Sequence, residues 1–158
     1  MKKTTLKILS NRLVGQKETI AVAESVTAGL VITTLSRAVN ATSFLQGGII
    51  VYNLGQKTKH LDVNPIHADE TNCVSPEIAV QMAAEVSRKF CSQWGIAITG
   101  YAVPVPALKI KSCFAYYAIV KNGETVLASV LETRLTGQGR VQQYFVDNLL
   151  DSFARQLF

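Results

Sequence analysis

The sequence predicts a three-layer α/β/α sandwich on a mixed β-sheet, and three observations carry that prediction. Helical and strand-like patterns alternate along the chain, which favours an α/β architecture. Two short runs, TIAVA (19–23) and WGIAITG (94–100), are apolar on both faces, as central parallel strands are. Near the end, two strand-like runs flank Lys121-Asn122-Gly123-Glu124, where Asn-Gly is the strongest short-range hairpin signal, so part of the sheet is antiparallel.

Taken in order, residues 4–14 place Leu6, Ile8, Leu9 and Leu13 largely on one face of an amphipathic helix. The strand 19–23 follows, and a helix from Ala28 to Val39 carries Leu30, Val31, Thr34 and Leu35 as its apolar stripe. GGIIVY (47–52) reads as a second strand, with a short helix over 55–61 after it. Ser75-Pro76-Glu77 is a strong helix start, with an N-cap serine, proline at the first helical position and an acid in the first turn; this helix runs through Ile78, Met82, Ala83 and Val86 to about Phe90. Strands follow at 94–100, 112–120 and 125–132. A closing helix over 139–157 turns Val141, Tyr144, Phe145, Leu149, Phe153 and Leu157 to the core.

A chain of 158 residues without a linker, repeat or low-complexity segment is expected to form one domain, 1–158. Its 48% hydrophobic content and mean hydropathy of +0.21 exclude a disordered chain. No apolar run approaches the ~20 residues of a membrane span, and the start, MKKTTLKILS, lacks an apolar signal core, so no membrane role and a cytoplasmic location are expected. The net charge of +5 is scattered, with no basic stripe interleaved with aromatics, so no nucleic-acid partner is expected. Three widely spaced cysteines (Cys73, Cys91, Cys113) and only two histidines (His60, His67) match neither a disulfide framework nor a zinc site, so no metal and no cofactor are expected.

The chemistry concentrates in AVAESVTAGL (21–30), where Ser25 sits between a buried strand and a helix. In open α/β sheets that crevice is where ligands bind, and unpaired helix N–H groups there suit a phosphate or a developing oxyanion. Three readings are open for Ser25: with Thr27, a cap for the following helix; part of a phosphate-binding turn; or a nucleophile. The run lacks the Gly-x-x-x-x-Gly-Lys of a P-loop. Tyr52 and Lys57 span the next strand–helix corner and can reach the same end of the sheet. A lysine beside a serine acts as its general base when burial lowers the lysine's pKa, and a tyrosine can relay or orient the proton. The plainer reading is a solvated lysine and a strand-end tyrosine.

AESVTAGL resembles the Ala-Glu-Ser-Cys-Thr-Gly-Gly motif of the CinA C-terminal domain family, which includes stand-alone nicotinamide-nucleotide amidases. GGIIVYNLGQK, NCVSPEIAVQMA and GIAITG are similar to further motifs of that family, in order, over essentially the whole chain. The resemblance implies an amidohydrolase that converts nicotinamide mononucleotide to nicotinate mononucleotide and ammonia without a metal, in a homo-oligomer whose partner is the small-molecule nucleotide substrate. Ser25 would attack the carboxamide carbon, Lys57 take the serine proton and Tyr52 assist. N–H groups of Thr27, Ala28 and Gly29 would form the oxyanion hole, and Thr99, Gly100 and Arg140 would contact the nucleotide. The chain departs from the family at Ala28, where the family has glycine and where alanine implies φ below zero. It also departs at Gly100-Tyr101-Ala102-Val103-Pro104-Val105-Pro106, in place of a glycine-rich loop. That loop leaves open a different amide substrate, or a member that binds a nucleotide without turning it over.

Overall fold

The computed structural model describes residues 3–158; Met1 and Lys2, part of the start read above, lie outside the described residues. The elements are α1 (Lys3–Gln16), β1 (Ile20–Glu24), α2 (Leu30–Leu35), β2 (Leu45–Ile50), α3 (Leu54–Leu61), α4 (Pro65–Glu70), α5 (Pro76–Lys89), β3 (Trp94–Tyr101), β4 (Cys113–Lys121), β5 (Glu124–Thr133) and α6 (Gln138–Gln156). The five strands form one sheet in the order β2-β1-β3-β4-β5. β1 is parallel to β2 and β3, whereas β4 runs antiparallel to both β3 and β5, so the sheet is mixed as expected.

The three layers follow from the strand period of two. In β1, Ile20 and Val22 face one core with Leu9 and Leu13 of α1, Val31 and Leu35 of α2, and Phe145, Leu149 and Phe153 of α6. Ala21 and Ala23 face the other core with Leu61 of α3, Ala68 of α4 and Ile78, Met82 and Val86 of α5. Each large apolar side chain buried here is worth about 1.5–3 kcal/mol. The α5 side of the sheet is paved with small residues, Ala21, Ala23, Ala97 and Ala118, which lets α5 lie very close. A Cβ on Gly95 would stand 2.0 Å from the Ala83 carbonyl oxygen.

Several expectations need correction. α2 is six residues long and does not begin at Ala28, because Ala28 (φ 51°) and Gly29 (φ 96°) both lie in the left-handed region. β2 starts earlier, at Leu45, and ends at Ile50; Tyr52 lies beyond it, in the corner where Asn53 caps α3 by accepting the Gln56 N–H at 3.0 Å. α4 was not anticipated. Its signal is the one recognised at Ser75-Pro76: Asn64 caps the amides of Ile66 and His67, and Pro65 takes the first helical position. The remaining helices and strands differ from expectation only by a residue or two at their ends.

Candidate active site

β1 ends on a carboxylate, Glu24, that is fully buried. Its burial is tolerable because four donors converge on it. Oε2 accepts the Thr27 hydroxyl at 2.6 Å and the Gly29 and Val31 amides at 3.0 Å each, and Oε1 accepts the Ile32 amide at 2.9 Å. The three amides among them are N–H groups that the helix start leaves without an intrahelical partner. Glu24 is therefore the cap of α2. Neither Ser25 nor Thr27 caps it, and the Thr27 hydroxyl is spent as a donor to Glu24. Sequence reasoning missed this role, although a glutamate closing an apolar strand was a visible signal.

The cap also decides which amides of the turn are free. Ala28 N–H donates to the Ser25 carbonyl and Leu30 N–H to that of Thr27, while Gly29 N–H goes to Glu24. Of the three expected oxyanion donors, Ala28 and Gly29 are thus occupied. Among the described residues, the Val26 and Thr27 amides are the ones in this turn with no intramolecular acceptor. Gln142 of α6 steadies the turn from outside, its amide donating to the Val26 carbonyl at 2.9 Å.

Because β1 and β2 are parallel, the α3 that follows β2 starts at the same end of the sheet as Ser25. Lys57, the fourth residue of α3, turns back into that corner and is 1% exposed. Its Nζ lies 3.1 Å from Ser25 Oγ and 3.3 Å from the Val51 carbonyl oxygen. Burial holds the Lys57 ammonium below the usual lysine range, opposed in part by the Cys73 thiol nearby. An amine biased toward neutrality, in contact with a serine hydroxyl, is the arrangement a general base requires.

Ser25 and Lys57 line a cavity of about 480 Å³, within the range of about 300–1,000 Å³ typical of small-molecule sites. Asp69 of α4 and Cys73 just after it form another part of the wall, with Tyr101 at the end of β3 and Val103 in the loop that follows. Tyr52 also lines the cavity but is 62% exposed, and among the described residues its hydroxyl bonds neither Ser25 nor Lys57. Thr99 lines the cavity too, its hydroxyl donating to the Cys73 carbonyl at 2.9 Å. Gly100 is glycine for a packing reason, since a Cβ there would meet the Phe114 carbonyl oxygen at 2.2 Å. Thr27, Ala28 and Gly29 do not line the cavity. Arg140 is exposed on the first turn of α6, donates to Thr136 Oγ1 at 3.3 Å and does not line the cavity; Gln138 does. Tyr101 belongs to the altered loop that the sequence marks as bearing on ligand binding, whereas nothing in the sequence points to Asp69 or Cys73 as site residues, and only the fold brings them to the cavity.

The profile of the CinA C-terminal domain matches residues 2–157. This chain belongs to that family. A CinA-like protein of Thermosynechococcus vestitus is 32% identical over 152 residues, 95% of this chain and 36% of the relative, and one of Nostoc punctiforme is 30% identical over 98% of this chain and 38% of its own length. The chain therefore spans well under half of these relatives. A CinA superfamily protein from Escherichia coli superposes with a TM-score of 0.90 at 24% identity, covering 99% of this chain and 90% of that one, and speaks for the fold. The competence/damage-inducible protein CihA from Agrobacterium tumefaciens gives 0.84 at 19% identity, covering 99% and 96%.

Two features set this CinA domain apart from the glycine-rich motifs it resembles. Ala28 adopts φ 51°, not the negative value expected of alanine. The left-handed region costs an ordinary L-residue about 1–2 kcal/mol, so Ala28→Gly is expected to stabilise the fold by roughly 1 kcal/mol, less a few tenths for the freer unfolded chain. The thermal midpoint should rise by about 2–4 °C, and a lowered midpoint would contradict the strain assignment. The second feature is the loop after β3. Pro104 and Pro106 have no N–H, and Val105 exchanges both its backbone bonds with Ile110, at 3.0 and 3.1 Å. Between residues 102 and 106 this leaves the Ala102 and Val103 amides as donors.

Proposed function

We propose that this CinA domain is a serine-dependent amidohydrolase that cleaves a primary carboxamide of the nicotinamide type; nicotinamide mononucleotide is the substrate that the family resemblance implies. Ser25 Oγ attacks the carboxamide carbon while Lys57 Nζ takes its proton. The oxygen of the tetrahedral intermediate is stabilised by the Val26 amide, which among the described residues is free of any intramolecular acceptor, on a residue that lines the cavity. Collapse of the intermediate breaks the C–N bond, and Lys57 returns its proton to the departing nitrogen, which leaves as ammonia. Water, deprotonated by Lys57, then attacks the acyl-serine ester and releases the carboxylate, and the proton goes back to Ser25 Oγ.

The observation that carries this reading is the 3.1 Å contact between Ser25 Oγ and a lysine that is 1% exposed, at the wall of a cavity. Burial there favours the neutral amine that a base must be. The test is ammonia release from nicotinamide mononucleotide and related amides by wild type and Ser25→Ala. Loss of the nucleophile is expected to lower kcat by about 10³-fold or more. Equal rates in the two proteins would sink the assignment.

A further inference from the structure

The charge of the cavity speaks to the substrate, given the amidase reading on which this inference rests. Among the described residues lining the cavity, Lys57 is the one basic side chain, and it is engaged by Ser25 and the Val51 carbonyl. The acidic side chain there is Asp69, which stands exposed on α4 at the cavity wall. Two aromatic rings, Tyr52 and Tyr101, also line the space, and Tyr101 is held by an edge contact with Phe114 at 5.6 Å.

A phosphate group calls for the opposite surroundings. It carries about −1.5 to −2 charge at neutral pH and is held by arginine, lysine or converging backbone N–H groups. Arg140 stands off the cavity wall, bonded to Thr136, and the loop over 102–106 retains the amides of Ala102 and Val103 alone. A phosphate close to Lys57 would moreover favour its ammonium form and so oppose its work as a base, whereas a cation favours the neutral amine. A planar cationic ring fits the remaining features, because a carboxylate and aromatic rings both attract a cation.

We propose that the cavity takes carboxamides borne on a planar cationic ring without a phosphate, such as N-substituted nicotinamide cations, and that Asp69 sets this preference. Nicotinamide riboside and nicotinamide mononucleotide share the pyridinium carboxamide and differ by the phosphate, which makes them the probe pair. The riboside is expected to show a kcat/KM about two- to fivefold above that of the mononucleotide, because the cationic ring is common to both and the phosphate alone adds repulsion from the exposed Asp69 carboxylate. Asp69→Asn should raise KM for the riboside several-fold with kcat little changed, and Asp69→Lys should turn the preference toward the mononucleotide.

Equal or better use of the mononucleotide by wild type, or an unchanged ratio in Asp69→Lys, overturns the proposal while leaving the amidase reading in place. Calorimetric binding of both compounds to Ser25→Ala separates the two claims. Tighter riboside binding supports the charge preference even where no ammonia is released by wild type, a result that would count against the amidase reading alone. Tighter binding of the mononucleotide overturns the preference.

Discussion

Lys57→Met is expected to lower kcat/KM for amide cleavage by about 10³-fold or more while leaving the thermal midpoint at neutral pH equal to or above that of wild type. Both halves follow from one fact, the burial of an amine in the corner between β2 and α3. Methionine keeps most of the volume and carries no ionisable group, so the core is not opened. What is lost is the acceptor for the Ser25 proton. What is also lost is the cost of folding around a lysine.

That cost depends on pH, and its sign is fixed by the downward shift of Lys57 from the usual 10.5, caused first by burial. Above 10.5 the amine is neutral in both folded and unfolded chains. Below it the unfolded chain binds a proton that the folded chain resists, so stability falls as pH drops from 10.5 toward the lowered folded value and then levels off. Lys57→Met should flatten that slope. Activity should fall on the acid side as Lys57 takes up its proton. Melts and rates measured across the pH range check both, and a clear drop in the Lys57→Met midpoint at pH 7 would contradict the burial cost.

Glu24→Gln is expected to be the most damaging isosteric change outside the Ser25–Lys57 pair. Oε1 and Oε2 each accept at least one N–H, so an amide cannot satisfy both: one oxygen becomes an NH₂ that faces a backbone donor. Leaving a buried donor without its acceptor costs about 1–3 kcal/mol, and the Thr27 hydroxyl and Gly29 amide share the same carboxylate. A loss of about 3 kcal/mol, or roughly 6–12 °C in midpoint, is expected. Amidase activity should fall as well, since Ser25 and the two free amides sit on the turn that Glu24 organises. A midpoint within a degree of wild type would show that the carboxylate is not the cap it looks to be.

The parts legible from sequence were those whose signals are local. Ser75-Pro76 opens α5, with the Ser75 hydroxyl accepting the Ile78 amide at 3.2 Å, and Asn122-Gly123 closes the β4–β5 hairpin. α4 carries a start signal of the same kind, but a six-residue helix is too short for an apolar period to announce it. α2 was read too long because its apolar stripe overruled two left-handed residues that no periodicity reveals. Within the site, Ser25 and Lys57 belong to recognisable motifs, yet what joins them is the parallel pairing of β1 and β2, a relation between distant segments. Asp69 and Cys73 reach the cavity for the same non-local reason, carried there by the segment joining α3 to α5.

The bridge between Val105 and Ile110 ties the two ends of a short surface segment to each other, so that segment closes on itself before the chain enters β4. Ser25, Lys57 and Glu24 are held by other parts of the fold: the β1 turn, α2 and α3. Within that closed segment Leu108 reaches the cavity, so the segment can change in length or side chains at its neck while Ser25 and Lys57 stay where they are.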